Sequence, residues 1–187
     1  YQATWDTSVV LSYLKTLYPV AELSLQQLTY KLVMLCALVT GQRCQSIHLM
    51  NLSTLQKKND SDVFHIDQLV KQSGPSREQP ALVIPRFPSQ PSLCVASTLD
   101  ECVTRTASIR NNESQLFISV IKPHNKVTKA TISRWIKSIM QVAGIDTDIF
   151  KTHSTRAAAT SKAQSCDVPM TSILKAASWK RDNVFHI

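Results

Sequence analysis

The residues best suited to chemistry form the run His153-Ser154-Thr155-Arg156, set between Phe150 and Thr160. Thr152 or Ser154 can cap a helix whose first turn holds Arg156, and the alanines at 157–159 favour a helix behind it. Residues three apart share a helix face, so the imidazole of His153 and the guanidinium of Arg156 can address one ligand. A helix N-terminus with a guanidinium fork beside it suits an anionic oxygen, above all a phosphate. A His and an Arg at this spacing also arise often by chance, so the rest of the chain must support the pair.

The bulk properties favour such a ligand. A net charge of +8 and a pI near 9.4 point to a polyanionic partner, nucleic acid before an acidic membrane. Only 3 glycines are present, which argues against glycine-rich nucleotide loops. The cysteines Cys36, Cys44, Cys94, Cys102 and Cys166 form no CxxC pair, a pattern that suggests a reducing compartment and no structural zinc. Cys36 and Cys44 read as buried thiols. No metal or cofactor is expected, since no carboxylate cluster stands near the motif, although Asp60 and Asp62 share a turn. No signal peptide or membrane span is recognisable. Because the chain opens on Tyr1, an excised piece or a lost beginning is expected.

The elements that must position these residues are mostly helices. Apolar spacing predicts helices over 5–18 and 24–39, the second capped by Ser24 and apolar nearly all round. Thr40-Gly41 breaks it, and a helix over 42–50 follows with Arg43 at its start. Arg43 reads either as a structural salt bridge or cap contact, or as a fixed cation aimed into a cleft. Residues 52–87 change period: strands at 52–56, 63–70 and 81–85 make a small antiparallel meander. Lys71, at its second hairpin, reads as a solvated turn lysine or as a proton donor carried into a groove. A helix over 97–110, capped by Ser97 or Thr98, precedes an extended run at 115–119. A helix from Thr128 or Thr131 runs to a stop at Gly144. Its polar face carries Lys129, Arg134 and Lys137, which suit a phosphate backbone or simply solvent. Lys151 is a further candidate phosphate contact. After the His153 helix, Pro169 starts a last one with Met170, Ile173, Leu174 and Ala177 inward, followed by Ser178-Trp179. The fold class is mainly α with a small antiparallel three-stranded β-meander.

Arg43, Lys71, His153, Arg156 and Trp179, in this order, resemble the catalytic site of the tyrosine recombinases, the phage-integrase-like enzymes. Thr40-Gly41-Gln42-Arg43 is similar to the family's first-arginine motif, and Lys71 to its hairpin lysine. His153-Ser154-Thr155-Arg156 is similar to its His-x-x-Arg motif, and Trp179 to its histidine-or-tryptophan position. The run Ala176-Ala177-Ser178-Trp179 looks closest to recombinases of eukaryotic mobile elements, the tyrosine-recombinase retrotransposons or the cryptons. Two positions depart from the pattern. Ser46 stands where the family has an acid, three residues after the first arginine. The nucleophilic tyrosine should fall just past Phe185-His186-Ile187, and Tyr1, Tyr13, Tyr18 and Tyr30 all precede the motif. It is expected to have been cut off, left disordered, or lost in a domesticated descendant.

The resemblance implies a tyrosine recombinase catalytic-domain fold over 24–187, with 1–23 as a linker or leading helix from an N-terminal core-binding domain. It implies strand cleavage and rejoining of double-stranded DNA through a 3′-phosphotyrosyl intermediate, in site-specific recombination or element integration. Arg43 and Arg156 would clamp the nonbridging oxygens, and His153 would donate to them or assist the nucleophile's proton. Lys71 would protonate the leaving 5′-oxygen, and Trp179 would donate its indole N–H. The covalent link conserves the phosphodiester's energy, so no cofactor is implied. Full-length relatives assemble as tetramers on DNA. This chain alone is expected to be monomeric, inactive without its tyrosine, and weak and salt-sensitive in DNA binding. Localisation is expected to be nuclear in a eukaryote and cytoplasmic otherwise. The rival expectation is an inactive recombinase-derived module that binds DNA or protein.

Overall fold

A computed structural model describes residues 4–68 and 81–178. Seven α-helices and three strands are described: α1 Thr7–Thr16, α2 Leu25–Thr40, α3 Cys44–His48, β1 Leu55–Lys57, β2 Ser61–His65, β3 Ala81–Pro85, α4 Val95–Thr106, α5 Lys129–Val142, α6 Ser154–Ser165 and α7 Met170–Ala177. The class is as expected, mainly α with an antiparallel sheet in the order β1-β2-β3. Among the described residues no helix is long and apolar enough to cross a membrane.

Helix α2 is the axis of the core. Ser24 and Gln27 form a capping box at its start, the hydroxyl taking the Gln27 N–H and the Gln27 amide oxygen the Ser24 N–H. Leu28, Leu32, Val33 and Met34 are fully buried, so side chains leave the helix for the interior in several directions. It packs on α4, α5, α6 and β3. Each fully buried side chain of this size contributes about 1.5–3 kcal/mol. Helix α1 joins the same core through Trp5, Val10, Leu14 and Leu17.

Several boundaries differ from the sequence expectation, each for a local reason. The Asn51 side chain accepts from the N–H and hydroxyl of Ser53, so a tight turn occupies 52–54 and β1 begins only at Leu55. Strand β2 starts at Ser61 and ends at His65, two residues early and five short of the expected 63–70. Helix α4 starts at Val95. Thr98 does not cap it; its hydroxyl bonds back to the Cys94 carbonyl at 2.8 Å, within the first turn. The extended run after α4 is held by Arg110, which donates to the carbonyls of Gln115 and Leu116. The sheet is tied to α4 through Arg86, which reaches the buried Asp62 and also Asp100.

Among the described cations, one lies wholly inside. Lys31, on α2, has no exposed surface and donates to the carbonyls of Leu17 and Ser92. It thereby fastens the end of α1 and the turn before α4 to the central helix. Burial among carbonyls, with no carboxylate, lowers its pKa from 10.5 to about 8. Between these values the unfolded chain holds a proton that the native one has released, so stability rises with pH across that window. The difference in unfolding free energy between the natural chain and Lys31→Met is therefore expected to grow from pH 8 to 9, by at most about 1.4 kcal/mol. Urea unfolding at a series of pH values measures it; a flat difference would mean that the lysine is not desolvated. The buried thiols of Cys36 and Cys102, whose pKa values burial raises, act in the opposite sense but equally in both chains.

Candidate active site

A cleft of about 760 Å³ opens where the α2–α3 junction, the first turns of α5 and the start of α6 meet. Arg43, Lys129, Lys151, His153 and Arg156 all line it, and none of its described lining residues is acidic. Two halves of the candidate site, far apart in sequence, are thus brought together.

Each cation is placed by a different local device. Arg43 precedes α3 with extended backbone, and its carbonyl accepts the N–H groups of Ser46 and Ile47. The backbone starts the helix while the exposed side chain is left for the cleft. Lys129 is the first residue of α5, which Thr128 caps by accepting from the Thr131 N–H. Lys151 and His153 are exposed in the turn that leads into α6.

Neither Thr152 nor Ser154 caps α6, contrary to expectation. The Thr152 hydroxyl reaches the Ser133 carbonyl at 3.4 Å, toward α5. The Ser154 hydroxyl donates to the Lys151 carbonyl and accepts from the Trp5 indole at 3.0 Å. These hydroxyls fix the turn to its neighbours, and His153 takes the cap position with no side-chain cap bond.

Arg156 is buried at 7% exposure, and its Nη2 donates to the Ala177 carbonyl at the end of α7. Burial and, after it, the positive charge of Arg43 bring its pKa down to about 10. It is still charged at neutral pH. Two like charges in a cleft where no described lining residue is acidic raise each other's cost, and an anion in that cleft would relieve both.

The other candidates divide. Arg134 and Lys137 are exposed on α5 but do not line the cleft, and Arg134 turns back to the Thr131 hydroxyl at 3.0 Å. Lys71 and Trp179 lie outside the described residues. Tyr13, Tyr18 and Tyr30 do not line the cleft; Tyr30 packs on Trp135 with ring centroids 5.4 Å apart. Cys36 is buried as expected, whereas Cys44 is only half-buried and lines the cleft, its thiol pKa raised by burial. Sequence reasoning assigned no role to Gln42, which is buried and donates to residues 134 and 136 positions away. No local pattern announces such partners; the only signal was its place beside Arg43.

The meeting of the two halves is governed by Gly41. It ends α2 in the left-handed region at φ 58°. A Cβ there would stand 3.3 Å from Thr160 Cγ2 on α6 and 3.5 Å from Ala177 Cβ on α7. Only a glycine permits both the turn and the approach at no cost.

No family model matches the sequence, and no curated protein matches it. The fold matches solved structures. The XerH site-specific recombinase, in a pre-cleavage complex with its difH substrate, aligns with a TM-score of 0.71 at 13% identity, over 98% of this chain and 49% of that one. XerA recombinase aligns with 0.71 at 12% identity, over 100% and 58%. The lambda integrase catalytic core aligns with 0.59 at 16% identity, over 95% and 96%. The chain thus spans about half the length of the first two and nearly all of the third. At these identities the likeness is one of fold, and the fold is that of the tyrosine recombinase and integrase catalytic domain.

Gly41→Ala is expected to lower stability by about 1–2 kcal/mol, from left-handed strain plus the Thr160 contact. Adding Thr160→Ser, which removes Cγ2, should return the steric part and leave the backbone part. Denaturant melts of the three chains separate the two terms, and full recovery in the double variant would deny the strain.

Proposed function

We propose that the cleft binds the scissile phosphate of double-stranded DNA, and that the protein cleaves and rejoins DNA strands with a tyrosine beyond Ile187 as nucleophile. The observation that carries this reading is the convergence of Arg43, Lys129, Lys151, His153 and Arg156 on one cleft that no described carboxylate neutralises. The fold supports it, since the matched structures include a recombinase in complex with its DNA substrate.

In this reading the tyrosine oxygen attacks phosphorus, forming a 3′-phosphotyrosyl bond and breaking the bond to the 5′-oxygen. Charge grows on the nonbridging oxygens. Arg156, held by its bond to the Ala177 carbonyl, presents a fork to them, and Arg43, which lines the same cleft, donates to them as well. His153, exposed at the cleft, donates to the same oxygens or takes the tyrosine's proton. The leaving 5′-oxygen takes a proton from Lys71, and Trp179 adds an indole donor; both roles rest on sequence resemblance. A 5′-hydroxyl from a second strand then reverses the step. Lys129 and Lys151 at the cleft, with Arg134 and Lys137 farther along α5, hold flanking phosphates.

The wider assignments follow the same resemblance. We read the protein as a recombinase of a mobile element, of the eukaryotic retrotransposon or crypton type on the strength of Ala176-Ala177-Ser178-Trp179, and so nuclear. It would assemble as a tetramer on two DNA sites, with the 187-residue chain monomeric by itself.

A chain extended past Ile187, given a nicked suicide DNA substrate, is expected to form a covalent adduct that disappears when its downstream tyrosine becomes phenylalanine. Arg156→Ala should cut adduct formation by about 10²–10³-fold. Its melting point should move little, because the hydrogen bonding lost is offset by removing a buried charge that Arg43 repels. DNA binding without any adduct would make the protein a binding module, and unaltered adduct formation by Arg156→Ala would remove the clamp.

A further inference from the structure

We infer that Gln42 is a positioning residue that couples the two arginines through the end of α7. The inference rests on the reading of the cleft as a phosphate site. Gln42 follows Gly41 and precedes Arg43, so its backbone is part of the turn that presses against α6 and α7. Its own N–H is steadied by the Thr40 hydroxyl at 3.3 Å. Its side chain is 4% exposed and spends both amide protons on α7, one on the Ala176 carbonyl at 2.7 Å and one on the Ser178 hydroxyl at 2.8 Å. The orientation of the amide is determined by chemistry, because a carbonyl oxygen at 2.7 Å demands a donor.

These are terminal groups of a helix, where carbonyls lack partners within the helix. The next carbonyl along, that of Ala177, is the one that Arg156 occupies. Three successive residues at the end of α7 are therefore held by Gln42 and Arg156 together. Ser178 reverses the chain there in the left-handed region, at φ 54°. Loosening the end of α7 would release the carbonyl that orients the Arg156 fork. It would also free the turn that carries Arg43. An interaction that touches no phosphate thus sets the geometry of both guanidinium groups that do.

Duplex DNA of about 20 base pairs at low salt is the probe, with affinity read by anisotropy on the 187-residue chain. Nitrogen-15 NMR of the arginine side chains reports whether each guanidinium is held. Gln42→Met keeps the volume and removes both donors. It is expected to weaken binding about five- to tenfold, near the value of one charge-assisted contact, and to bring the Arg156 protons into fast exchange. Arg110, buried elsewhere on Thr106 and two carbonyls, is the internal control and should stay protected. Unchanged Arg156 signals and unchanged affinity would overturn the inference. Should Gln42→Met also release Arg110, the chain has unfolded, and Ser178→Ala takes its place. That variant removes one acceptor only; a two- to threefold loss with exchange at Arg156 supports the coupling, and no change overturns it. Arg156→Ala separates the two readings: if it leaves affinity untouched while Gln42→Met still frees the guanidinium, the phosphate site fails and the coupling stands.

Discussion

Two positive charges are held in one cleft, and most of the structure can be read as the means of holding them. Like charges that share a cleft repel each other. Arg156 feels this together with its own burial, which is why its pKa falls. A flexible surface would let the two guanidinium groups part and solvate separately. Here Arg156 is anchored on the α7 end, and the backbone that carries Arg43 follows a turn packed against α6 and α7. An anion entering such a cleft would relieve the repulsion, which is the electrostatic basis of the phosphate site proposed above.

The rigidity comes from α2. It is buried on several sides and stops at Gly41, directly before the arginine-bearing turn. Its other contacts brace it from behind: Lys31 fastens α1 and the approach to α4, and α5 lies along it with Lys129 at the cleft end. Helix α1 adds a second brace, since Trp5 reaches across to Ser154 at the mouth of α6. A core helix that ends at a functional turn transmits the order of the interior to the site.

Much of this was legible in the sequence, and the parts that were not share a cause. Ser24 and Thr128 announce their helices because a hydroxyl and an N–H three residues on are a local pair. Arg43, His153 and Arg156 were legible by order and motif, and they do line one cleft. Thr152, Ser154 and Thr98 carry the same capping chemistry, yet their hydroxyls go to Ser133, Lys151 and Cys94 instead. Which partner a hydroxyl takes is a competition: tertiary packing brings Ser133 to Thr152, while Ser154 and Thr98 turn back to carbonyls three and four residues before them. Lys31 and Gln42 were illegible because each spends its donors on acceptors fixed by other segments of the chain. Arg134 and Lys137 show the converse: a cationic stripe was plain, but its distance from the cleft depends on how α5 is rotated against α2.

The burial of the cations is graded, and the grading divides their labour. Arg43, Lys129 and Lys151 are exposed and keep their water, so their attraction for a polyanion is long in range and screened by salt. Arg156 is buried, already desolvated and already oriented, so it adds direction and little range. Ser46 fits this division. In the tyrosine recombinase pattern that the sequence resembles, an acid at this position would pair with the arginine and lower the net charge of the cleft. With a buried serine in its place, Arg43 carries its full charge toward Arg156. In the proposed coupling, orientation falls to uncharged contacts, the Gly41 turn and the amide of Gln42, which hold geometry without adding a neutralising charge.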